Sequence, residues 1–286
     1  MPSLKVLILE TDEPHPEIHD KKGSYAEILN KHFQKAAVAH DPPMEIEMDM
    51  HFVVDDKENG KDGRVPKASE MGEDIQGVLI TGSMYDAHGD EQWILDLMEF
   101  LKELWTTRPN LHFSGVCFGH QLLCRLLGST VEPVPSRDWE IGHSKIDLNH
   151  IGVQLFRTSK PYIHLHQMHQ DHVVSPPSSS HPLLGGKRVH VWGKSEHTAV
   201  QGIYVLNRLL TMQAHLAFDE EMVKREIQMR QEAGSIGKKD EDEVDRANET
   251  AGKDHDGEVV AAALLRYWAY EDDGIAEEEE EERGNE

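Results

Sequence analysis

The chain has 286 residues and a formal net charge of −24, from 29 basic and 53 acidic side chains. That length suits one large domain or two small ones, with ample material for a core. So acidic a chain lacks the basic surface that nucleic-acid binding requires and would be repelled by anionic membranes. No apolar run approaches the roughly 20 residues of a membrane helix. The N-terminal residues Met1 to Lys5 lead straight into a strand pattern, without the layout of a signal peptide, so a soluble cytoplasmic protein is expected.

Residues 4–9 form an apolar run typical of a buried strand. Ser24-Tyr25-Ala26-Glu27 is a capping box that opens a helix running through Val38. Residues 44–54 alternate as a second strand, residues 55–73 are polar and loop-like, and residues 75–81 form a third strand. Residues 90–105 place Trp93, Ile94, Leu97, Phe100, Leu101 and Leu104 on one helical face. Strands alternating with helices imply a parallel sheet covered on both faces. In such sheets, ligands bind beyond the carboxyl ends of the strands. The second half changes character. Residues 144–156, 162–167, 188–194, 199–205 and 208–214 are short strand-like runs, as in an antiparallel extension. Residues 218–233 read as a helix that closes a domain over 1–233. Residues 234–257 read as a charged mobile loop, 258–270 as an apolar helix docked on the domain, and 271–286 as a solvated acidic tail.

The run Gly115-Val116-Cys117-Phe118-Gly119-His120-Gln121 lies between an alternating strand segment, residues 111–114, and a helical pattern that stops at Gly128. A cysteine on a sharp strand-to-helix turn has the geometry of a nucleophile elbow. The helix N-terminus behind it is expected to lower the thiol pKa and to offer free backbone N–H groups to an anion. The other cysteine, Cys124, would stand about 10 Å away along the same helix, too far for a disulfide. It reads as a buried core thiol.

The elbow resembles the Gly-x-Cys-x-Gly-His-Gln signature of class I glutamine amidotransferases, a family that includes the amidotransferase domain of GMP synthase. Gln76-Gly77-Val78-Leu79-Ile80-Thr81-Gly82-Ser83 resembles the family strand whose Gly-Ser end supplies an oxyanion-hole amide. His169-Gln170-Asp171-His172-Val173 resembles its His-x-Asp-x-Val loop, and Thr211-Met212-Gln213-Ala214-His215 the strand that delivers the catalytic histidine. The likeness runs in order over roughly residues 4–230. It implies a flavodoxin-like three-layer α/β sandwich, mostly parallel with an antiparallel extension. It implies Cys117 as nucleophile and His215 as base. Gly82, Ser83 and Phe118 would lie around the oxyanion, with Gln121 touching substrate or else capping local backbone. The substrate would be glutamine or a γ-glutamyl compound, with no cofactor and no metal. Ammonia, if transferred, would go to an acceptor on a separate protein.

One departure stands out. The family histidine is followed by Pro-Glu, and that glutamate orients the imidazole, whereas this chain reads His215-Leu216-Ala217. Loss of an equivalent acid elsewhere costs up to about four orders of magnitude in turnover. A cysteine tolerates this better than a serine because it ionises more easily. Asp219 and Glu220 are the next acids in sequence. The departure motivates a competing expectation, a catalytically impaired relative that binds a metabolite or partner. A third is a cysteine hydrolase of another class, acting on peptides or esters. His164, His166, His169 and His172 invite a zinc reading, but no cysteine lies nearby and the spacing fits no standard site. The preferred reading is a loop at the mouth of the active site.

Overall fold

The computed structural model describes residues 3–272 and Ile275. In chain order the elements are β1 (Ser3–Glu10), α1 (Pro16–Lys22), α2 (Tyr25–Ala39), β2 (Glu45–Phe52), β3 (Asp55–Asp56), β4 (Lys61–Asp62), β5 (Gly77–Ile80), α3 (Gln92–Thr107), β6 (His112–Val116), α4 (Phe118–Leu126), β7 (Val131–Pro133), β8 (Glu140–Leu148), α5 (His150–Phe156), β9 (Tyr162–His169), β10 (Asp171–Val173), β11 (His190–Lys194), β12 (Gly202–Val205), β13 (Leu209–Met212), α6 (Glu220–Glu232), α7 (Glu241–Thr250) and α8 (Gly257–Trp268). Nine strands form one sheet in the order β2-β1-β5-β6-β13-β12-β11-β8-β9. From β2 through β13 every pairing is parallel. From β13 through β9 every pairing is antiparallel. The fold is therefore the flavodoxin-like α/β sandwich with an antiparallel extension.

Strand alternation decides the layers. In β1, Leu4, Val6 and Ile8 face a core shared with α2, α5 and α8. Leu7 and Leu9 face the opposite core, with α3 and α4. The capping box closes at both bonds, Glu27 N–H to Ser24 Oγ and Ser24 N–H to Glu27 Oε2. The apolar face read for residues 90–105 is the buried face of α3. The extension curls back on the parallel half, because the His215 N–H donates to the His166 carbonyl at 2.8 Å, bridging β9 to the chain leaving β13.

Two expectations need correction. Residues 234–257 are not a mobile loop. They hold a short 3₁₀ turn and α7, and Ile236, Val244, Ala247 and Ala251 pack with α1 and α6 over β8 and β9. The charges occupy the outer face, and a narrow apolar stripe is enough to seat the helix. The run 144–156 is not one strand, because Asn149 accepts the Gly152 N–H and caps α5. Helix α1 was not anticipated. The acidic tail falls largely outside the described residues. No helix among the described residues is long and apolar enough to cross a membrane.

Helix α8 is pinned by Trp268. Its ring is fully buried, lies 4.9 Å from Phe33, and donates Nε1–H to Ser114 Oγ at 3.1 Å. A Trp268→Ala substitution is expected to cost about 3–5 kcal/mol in urea unfolding. A loss under about 1 kcal/mol would show that α8 is not a core element.

Candidate active site

The elbow is built by close backbone approach. A side chain on Gly115 would lie 2.4 Å from the Gly119 carbonyl group, and one on Gly119 would lie 2.4 Å from the Ile80 carbonyl oxygen. With both positions bare, the first turn of α4 sits against the end of β5, and Gly119 N–H reaches the Thr81 carbonyl at 3.1 Å. The turn leaves Cys117 at φ 51° and ψ −105°, a left-handed conformation that side chains rarely hold. The 5 % exposed Cys117 faces the Met168 carbonyl, with Sγ to O at 4.0 Å.

Gly82 joins the elbow to the histidine. A Cβ placed on it would stand 2.9 Å from His215 Cε1, 3.6 Å from His215 Nδ1 and 3.5 Å from Cys117 Cβ. Both side chains therefore flank one bare position, just past the end of β5. The His215 ring is held from behind by Phe218, stacked at 3.9 Å. Its Nε2 is buried without a hydrogen-bond partner among the described residues. Ala217 leaves that side open. Asp219 does not replace the missing acid, because it caps α6 through the Met222 N–H and pairs with Lys22. Glu220 pairs with Lys224.

Cys117, Phe118, Ser83 and Gln121 line one cavity of about 140 Å³, walled also by Met84, His169 and Arg230. Ser83 Oγ is not free, since it lies 3.2 Å from Asp12 Oδ2 and accepts the Tyr85 N–H. Gln121 spends its amide N–H groups on the Asp171 carbonyl and Gln213 Oε1, at 2.9 and 3.0 Å, so it braces the loop that follows β9. His169 does the same work by bonding to the Asp171 carbonyl and Glu140. The histidines of 164–172 do not converge. His164 stacks on His143 and His166 turns to His255, and no metal-holding group of three or more His, Cys, Asp or Glu occurs among the described residues.

The sequence reading missed Arg230, Glu226 and Tyr25. Arg230 Nη1 bonds to Glu226 Oε2 at 2.7 Å, and Tyr25 Oη donates to Glu226 Oε1 at 2.6 Å. Arg230 lines both the Cys117 cavity and a smaller one beside His215 and Ala217. The i,i+4 spacing of Glu226 and Arg230 was readable in the sequence, but nothing there marked the pair as buried.

Electrostatically the site is a neutral pair. Burial pushes the Cys117 thiol up to about 11, against the pull of Arg230 and the Phe118 N–H. This overturns the expectation of a thiol acidified by the helix N-terminus, since desolvation outweighs the amides. Burial, then Arg230, His169 and His166, holds the His215 imidazole well below the usual histidine range. Cys124 is fully buried beside His120, and burial raises its thiol too.

Residues 61–227 match the profile of the glutamine amidotransferase class-I family, more than half of the chain. The chain belongs to that family. A provisionally named glutamine amidotransferase of Saccharomyces cerevisiae is 29 % identical over 77 % of this chain and 81 % of its own length. Gamma-glutamyl peptidase 2 of Arabidopsis thaliana is 29 % identical over 57 % of this chain and 61 % of its own length. Among solved structures, a glutamine amidotransferase from Thermotoga maritima superposes with a TM-score of 0.57 at 18 % identity, covering 96 % of this chain and 98 % of that one, a likeness of fold.

The raised thiol pKa has a measurable consequence. Only the thiolate is alkylated, so labelling of Cys117 by iodoacetamide is expected to keep rising with pH past the ordinary thiol value of 9.0 toward about 11. Arg230→Met should move the rise to still higher pH, because the guanidinium favours the thiolate. Peptide mapping by mass spectrometry reads both, and a plateau below pH 9 would contradict the electrostatics.

Proposed function

We propose that this protein hydrolyses the γ-glutamyl amide bond of glutamine or of a γ-glutamyl compound through a Cys117 thioester. The observation that carries the reading is the flanking of Gly82 by both His215 and Cys117. Because both partners are neutral at rest, His215 takes the thiol proton as Cys117 attacks the amide carbon, rather than waiting in a preformed ion pair. The amides of Gly82 or Ser83 and of Phe118 stabilise the oxyanion. His215 passes its proton to the departing amine or ammonia. It then takes a proton from water, which hydrolyses the thioester, releases glutamate and restores the thiol. Arg230, fixed by Glu226 and Tyr25, is placed to receive a substrate carboxylate.

The γ-glutamyl peptidases among the relatives favour a γ-glutamyl peptide as substrate. A second reading, a binding module with an impaired site, is favoured by one observation: His215 Nε2 has no hydrogen-bond partner, carboxylate or other, among the described residues.

Release of glutamate from glutamine and from γ-glutamyl dipeptides is expected to exceed that of a Cys117→Ser control. Restoring the acid with Ala217→Glu is expected to raise kcat by up to about three orders of magnitude. No release above the control, and no gain in the restored variant, would leave the binding module as the function.

A further inference from the structure

A second cavity, a cleft of about 770 Å³, opens behind the active site. Ala217 and Phe218 form its floor, so only the residues that back His215 separate it from the catalytic pair. Its sides come from α2, the start of α6, the turn after α7 and the start of α8. In a protein with a formal charge of −24, this surface is rich in cations. Lys31 and Lys35 project from α2, and Lys253 from the turn. None of the three has a carboxylate partner among the described residues. Of the four acids on the rim, two are already matched, Asp219 by Lys22 and Glu220 by Lys224, while Asp254 and Glu258 stay open.

An independent observation points to a ligand. His166 lines the cleft and is fully buried, yet neither ring nitrogen has a hydrogen-bond partner among the described residues. A buried imidazole always carries at least one N–H, and leaving that donor unmet is unfavourable.

We propose that this cleft binds a small polyanion bearing phosphate or carboxylate groups, with Lys31, Lys35 and Lys253 supplying charge and His166 donating a ring N–H. Lysine suits this role as a point charge that does not demand planar geometry. The site is distinct from the cavity that holds Cys117, so binding does not depend on turnover.

The test is isothermal titration of the full chain at low ionic strength, where screening is weak. Inorganic pyrophosphate and citrate serve as separate probes. Saturable binding of at least one is expected, together with displacement of the His166 ring nitrogen signals in ¹⁵N-histidine spectra. Pyrophosphate alone would assign the site to phosphate compounds, and citrate alone to polycarboxylates. The exposed double variant Lys35→Gln/Lys253→Gln should lose at least about ten-fold in affinity, roughly 1.4 kcal/mol. Lys102→Gln, on α3 across the sheet, and Cys117→Ser should bind as the wild type does. Failure of both probes to saturate, or affinity unchanged in the double variant, would overturn the proposal. Because Cys117→Ser is expected to bind normally, that outcome is separable from any failure of the hydrolase reading.

Discussion

The site depends on the contact between Gly119 and the carbonyl of Ile80. No side chain fits there, and the resulting closeness sets the start of α4 directly against the end of β5. The geometry of the candidate site follows from that approach. It forces the turn that strains Cys117 into a left-handed conformation. It turns the first amides of α4 toward the strand ends, and it brings Gly82 between Cys117 and His215. A left-handed residue of this kind costs on the order of 1–3 kcal/mol and persists only where its surroundings hold it. Here they do so through the Gly115–Gly119 contact and the bond from Cys117 N–H to the Met212 carbonyl.

The missing acid changes the character of the pair more than its position. With a carboxylate beside it, an imidazole is held in one tautomer and its cationic form is stabilised. In this chain the charge that acts most on His215 is Arg230, which disfavours the cation further. The same guanidinium favours the thiolate of Cys117. Arg230 thus favours the charged form of the Cys117 thiol and disfavours that of the His215 imidazole. The buried bond to Glu226 tempers both effects by offsetting part of its charge. What holds the ring in place is packing, from Phe218 behind it and the β9 bridge beneath it.

Local rules made much of this legible. The Ser24–Glu27 capping box, the apolar face of α3 and the glycine-flanked cysteine are short-range patterns, and each sits where those rules put it. The parallel-then-antiparallel order of strands followed from helical segments giving way to short alternating runs. What sequence could not convey was burial of polar groups. Helix α7 looked like a solvated loop because only Val244 and Ala247 of its ten residues are buried. The Glu226–Arg230 pair has the i,i+4 spacing of an ordinary surface bridge, and nothing in the sequence marks it as buried. The Cys117 pKa was misjudged for the same reason, since a helix N-terminus is visible in sequence and desolvation is not. Gln121 and His169, read from motif positions, spend their hydrogen bonds on the loop after β9, a partnership visible only in three dimensions.

The central claim is that Cys117 is a working nucleophile in a γ-glutamyl pocket despite Ala217. The most direct measurement is intact mass and peptide mapping after exposure to a diazo-ketone analogue of glutamine, with and without glutamine as protectant. The account predicts a single adduct on Cys117, formed at a rate that saturates with analogue concentration, suppressed by glutamine and absent in Cys117→Ser. Labelling that does not saturate, or is indifferent to glutamine, would contradict it.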